Sequence, residues 1–144
     1  MARVLTLTLA AAAALVANAF AAPADIAGDW SFQTKRLANG CVIQGVMKIT
    51  GTKDRFVCSF STKETCGDLV GTAEQTCTAK RNGAKLTIKS TVIKYNWPGG
   101  VYAPDDFDVT IVSGAYMKGD FSSTHKTFVE NGDVEFFRGD TPVS

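Results

Sequence analysis

Between residues 29 and 138 apolar side chains recur at every second position, in short runs broken by turn-forming residues. A period of two belongs to strands, where successive side chains point to opposite faces. The first run covers residues 29–34. After Asn39-Gly40 a second places Cys41, Ile43, Gly45, Met47 and Ile49 on one face. A turn at 51–54 leads to a third run, with Phe56, Cys58 and Phe60 in phase, and Gly67-Asp68 leads to a fourth over 69–80. Asn82-Gly83 is the strongest hairpin signal, because both residues tolerate the positive φ of a type I′ turn. The fifth run carries Leu86, Ile88 and Val92 inward. An irregular loop at 96–106, with Trp97-Pro98-Gly99-Gly100 and Pro104, separates it from a sixth at 107–112. Ser113-Gly114 and Asn131-Gly132-Asp133 then bound a seventh run (116–123) and an eighth (134–138). The fold class is therefore all-β: an antiparallel up-and-down meander of about eight strands. Closing such a meander into a barrel removes the edges of an open sheet. A two-sheet β-sandwich is the alternative.

The chain opens differently. Arg3 is the only charge before Asp25, residues 4–20 are apolar or small, and Ala19-Phe20-Ala21 offers a small-residue exit. That tripartite pattern is a secretory signal over residues 1–21, cleaved before Ala22, with Ala17-Asn18-Ala19 as the second choice of exit. The Ala- and Thr-rich segment is weakly hydrophobic for a permanent span, which needs about 20 strongly apolar residues. Residues 22–144 then form a single domain, periplasmic or secreted, with no stable membrane insertion. Removing the leader takes one cation from 15 Lys and Arg set against 14 Asp and Glu, leaving the charge balanced. A balanced surface lacks the basic stripe that nucleic acid requires.

Export gives meaning to the four cysteines, Cys41, Cys58, Cys66 and Cys77. An even number in an oxidising compartment reads as two disulfides. A zinc site fails on spacing, with no Cys-x-x-Cys pair and one distant histidine, so no metal or cofactor is expected. A turn centred between Gly67 and Asp68 sets Cys58 opposite Cys77. One centred near Thr52 and Lys53 sets Cys41 opposite Glu64, a small register step from Cys66. The expected pairs are Cys41–Cys66 and Cys58–Cys77.

Candidate binding residues cluster at the long loop, bracketed by Tyr95, Trp97 and Tyr102. Aromatics at a barrel mouth either form a lid over a ligand or pack on the rim to cover the end. Asp105, Asp106, Asp108 and Asp120 lack calcium-loop spacing and read as solvated. His125 lies between strands, and no Gly-x-Ser-x-Gly elbow accompanies it. No catalytic residue is assigned, and enzymatic activity is not expected.

Gly28-Asp29-Trp30 at the first strand, followed by the eight-strand pattern, resembles the calycin group of lipocalins and avidin-like barrels. The resemblance implies that Trp30 plugs one barrel end, that Gly28 allows close packing there, and that Arg138 lies near Trp30. The opening Ile26-Ala27-Gly28-Asp29-Trp30 is also similar to that of small periplasmic metalloprotease inhibitors. The expected function is an exported binding module for a small apolar ligand entering at the long loop. The alternative is a protein–protein module, such as an inhibitor of a secreted protease or an envelope accessory protein.

Overall fold

In the computed structural model, which describes residues 24–139, eight strands follow one another. They are β1 (Gly28–Thr34), β2 (Val42–Thr52), β3 (Arg55–Cys66), β4 (Leu69–Asn82), β5 (Lys85–Asn96), β6 (Asp105–Ser113), β7 (Tyr116–Thr124) and β8 (Val129–Arg138). Each pairs antiparallel with the next, and β8 returns to β1 through Trp30↔Arg138 and Thr34↔Val134, closing a barrel. The sandwich alternative is set aside. The proposed signal segment, residues 1–21, lies outside the described residues. No helix among the described residues is long and apolar enough to cross a membrane.

Alternation decides which face is inside. Phe56, Cys58, Phe60, Thr62 and Glu64 of β3 are buried, as are Ala73, Gln75, Cys77 and Ala79 of β4. The middle of the barrel is filled by aromatic rings. Phe32 lies 5.2 Å from Phe107, 5.3 Å from Phe136 and 5.7 Å from Phe60, centroid to centroid, in tilted or edge-on contacts. Such pairs add to the roughly 1.5–3 kcal/mol that burying one large apolar side chain contributes. The rings pack against one another across the barrel interior at this level.

Both disulfides lie on the β2–β4 wall. Cys58 and Cys77 are directly opposed on β3 and β4. Cys41 bonds to Cys66, because the β2–β3 turn centres on Lys53 and Asp54 (Thr52↔Arg55) rather than one residue earlier. That shift moves the residue opposite Glu64 from Cys41 to Ile43. Lys53 takes a left-handed φ of 64° to make the turn. Two disulfides fit an oxidising compartment.

Two strand limits differ from the sequence reading. Asn131-Gly132-Asp133 is not a turn: β8 runs through it, paired Phe121↔Gly132 and Asp120↔Asp133. Glycine there makes room for Leu37, whose Cδ2 lies 2.5 Å from where a Cβ would stand. The reversal lies earlier, where the His125 N–H donates to the Phe128 carbonyl at 2.9 Å. β6 also starts earlier than expected, at Asp105.

The β5–β6 seam is short, running from Lys85↔Thr110 to Ile88↔Phe107. Beyond it a bulge at Glu74/Gln75 inserts an extra β5 residue, and the strand diverges from β6. Asp106 spans the gap: it accepts from the Ser90 N–H at 2.8 Å and lies 3.5 Å from Lys89 Nζ.

Candidate functional site

The barrel has a sealed end and an open one. At the sealed end Trp30 is wholly buried, and its indole N–H donates to the Ile26 carbonyl at 2.9 Å. The Arg138 guanidinium sits 4.2 Å above the ring and donates to the carbonyls of Ala27, Asp25 and Gly114 at 2.6–2.9 Å. Gly28, at φ +123°, passes under that guanidinium, where a Cβ would stand 2.8 Å from Nη1. Gly28, Trp30 and Arg138 thus form one packed plug.

The open end gathers residues 35–41, the β3–β4 turn, residues 97–104 and the β7–β8 turn. A cavity of about 340 Å³ lies there, lined by Glu64, Trp97, Tyr102, Phe128, Glu130 and the Cys41–Cys66 disulfide among others. Two larger hollows, about 490 Å³ on the outer wall over β2–β4 and about 850 Å³ at the Trp30 end itself, among Ala24–Ile26 and the β2–β3, β4–β5 and β6–β7 turns, contain no buried ionisable side chain. The chemistry is therefore at the smaller one.

Asp105 lies behind the lining, held to the cavity residue Tyr102. It is 1% exposed, and Oδ2 accepts from Gln75 Nε2 at 2.6 Å, the Tyr102 hydroxyl at 3.0 Å and the Thr62 hydroxyl at 3.1 Å. Its own N–H donates to Gln75 Oε1 at 2.9 Å. Burial pushes the carboxyl up to about 7; the three donors pull the other way, and the Glu130 charge adds to the rise. Burial also raises the Tyr102 phenol, reinforced by the charges of Asp105 and Glu64, so Tyr102 remains a donor.

Glu64, next to it, has no such support. It is 5% exposed. Its Oε1 lies 3.5 Å from Cys66 Sγ, a disulfide sulfur with no hydrogen to give. The polar group that faces it is the Glu130 carboxyl, and no amide, hydroxyl or basic side chain of the described residues donates to it. Burial, then the charges of Glu130 and Asp105, then a hydrogen bond shared with Glu130, push it up to about 8. Asn39 in turn donates to Glu130. No Lys or Arg side chain lines the cavity to pair with these carboxyls. Cys41, Glu64 and Cys66 bring ligand atoms within 4.8 Å of one another, but the two sulfurs are bonded to each other and are not free thiolates.

The aromatics named from the sequence meet here. Trp97 lies across β4 at Gly71 and packs edge-on against Tyr102, with centroids 6.4 Å apart. Tyr95 stacks on Tyr102 at 6.2 Å from outside the cavity. His125 stacks on Phe128 at 5.3 Å in the β7–β8 turn. Asp105 is the correction: grouped with Asp106 and Asp108 as solvated, it is instead a buried acceptor. Glu64 was not singled out at all, although its phase with Phe56, Cys58 and Phe60 points it inward.

No family model matches the chain, and no curated protein matches it. Among solved structures, a de novo designed fluorescence-activating β-barrel is similar. It has a TM-score of 0.53 and 14% identity, and the match covers 78% of this chain and 93% of that one. At that identity the likeness concerns the barrel itself.

Proposed function

We propose that this protein is an exported, non-enzymatic binding module whose ligand sits at the mouth of the barrel rather than within it. The observation that carries the reading is the contrast along the barrel axis: aromatic rings fill the middle, while a cavity walled by Trp97 and Tyr102 opens at one end. Ligand sites are typically concave and apolar with a few convergent polar groups, and this end has that composition. The Trp30–Arg138 plug at the far end supports a calycin-like reading, in which one end is sealed and the other receives. A wholly apolar ligand fits less well than the sequence suggested, because two carboxyls, Glu64 and Glu130, line the cavity.

Native mass spectrometry of the protein isolated from its own periplasm or medium provides the test. A retained small-molecule mass, lost in Trp97→Ala, is the expected result. A bare protein whose residues 97–103 show no chemical-shift response to any compound of a small-molecule panel removes the reading. A second reading, a protein–protein module, is favoured by the apolar rim at the same end, where Leu69, Val70, Val101 and Val129 are about half exposed or more. A retained polypeptide mass would select it.

A further inference from the structure

Building on the binding reading above, we propose that the ligand of the open-end cavity is a small organic cation, a primary ammonium on an apolar body. The ammonium sits between Glu64 and Glu130, and its hydrocarbon lies against Trp97, Val101 and Phe128.

Three observations converge. The first is Glu64 itself, buried in the cavity wall with another carboxyl, Glu130, as its hydrogen-bond partner. Buried carboxyls are ordinarily hydrogen-bonded, as Asp105 is one strand layer away with three donors. Glu64 instead faces a second carboxyl, an arrangement that costs stability until something positive or proton-bearing enters. The second is charge: no Lys or Arg lines the cavity. The third is the wall. Aromatic rings at Trp97, Tyr102 and Phe128 favour an organic cation, whose charge a π face attracts. A hard metal ion would want six or more oxygen ligands, and around Glu64 rings and a disulfide take their place. The exposed Val101 and Val129 at the mouth suit the apolar body of such a ligand.

The balance is simple. A Glu64 carboxyl that holds a proton in the empty site gives it to solvent as the ammonium arrives, and the ammonium then donates to the carboxylates of Glu64 and Glu130. The charged or titratable groups facing Glu64 are Glu130, Asp105 and Tyr102, so affinity rises with pH through the neutral range.

The probes are hexylammonium, 1-hexanol, hexanoate and calcium chloride, titrated calorimetrically into the mature protein at pH 7 in buffers of different ionisation enthalpy. Hexylammonium is expected to bind at least about tenfold more tightly than 1-hexanol. About one proton should be released per ligand, and hexanoate should not bind. Glu64→Gln, nearly the same shape, should lose both the preference and the proton release while the far-ultraviolet spectrum is unchanged. Equal binding of hexylammonium and 1-hexanol overturns the cation and leaves the mouth as a binding site. Calcium binding with no hexylammonium binding also overturns it, in favour of a metal. If none of the three six-carbon probes binds and residues 97–103 respond to nothing, both this proposal and the reading beneath it are gone.

Discussion

Trp30 and Glu64 are both buried at barrel ends, yet their surroundings are opposite. Around Trp30 a cation lies on the ring, and each of its three nitrogens donates to a carbonyl. Around Glu64 one carboxyl meets another beside a disulfide. Buried polar groups that are satisfied rigidify a structure, and those left short of a partner cost free energy. One end is therefore arranged for persistence. The other carries two facing carboxyls with no cation beside them, and the proposed recognition rests on that asymmetry.

The strongest way to break the comparison is to remove the plug. Trp30→Ala should destabilise by about 3–5 kcal/mol in urea unfolding, through lost burial and the ring under Arg138. Residual folded protein should keep its open-end binding; a variant as stable as the parent would show that the sealed end is not the persistent one. Next is the supported half of the acid pair. Asp105→Ala strands the Gln75, Thr62 and Tyr102 donors and should cost about 2–4 kcal/mol by the same measurement.

Glu64 should behave in the opposite sense. Its folded pKa, about 8, lies above the ordinary 4.5, so folding favours its protonated form. Its contribution is fully present below about pH 4.5 and is lost as pH rises to 8; Asp105, raised to about 7, adds to the same slope. Stability followed by urea midpoint should thus fall between pH 5 and 8. Glu64→Gln should flatten that fall and raise stability at pH 8–9 by on the order of 1–3 kcal/mol. A flat profile in the parent would show that the carboxyl is not held protonated. The smallest effect belongs to Arg138→Lys, which keeps the charge but loses the planar fork: about 1 kcal/mol, with binding unchanged.

The sealed end was easier to read from sequence than the open one, for a physical reason. Its parts are a fixed local motif, Gly28-Asp29-Trp30, and an arginine that antiparallel closure brings to it. The disulfide wall was legible because turn positions set register, and a two-residue error in the β2–β3 pairing still left Cys41 beside Cys66. Asp105 was not legible. Its donors Gln75 and Thr62 come from 30 and 43 residues earlier, and Pro104 next to it reads as loop. Glu64 carried a usable signal, an acid in phase with Phe56, Cys58 and Phe60, but that its partner is another carboxyl, Glu130 of β8, is a property of space. Gly132 misled in the opposite way, because a glycine that makes room for Leu37 looks the same in sequence as one that turns a chain.

Because β1 starts and β8 finishes at the plug, with the Gly139 N–H donating to the Asp29 carbonyl at 2.8 Å, the described chain enters and leaves on one side. The mouth is on the opposite side. The domain is thus built like a cup on a stem: a surface, a neighbouring module or an engineered tether attached through either terminus would leave the rim facing outward and unobstructed.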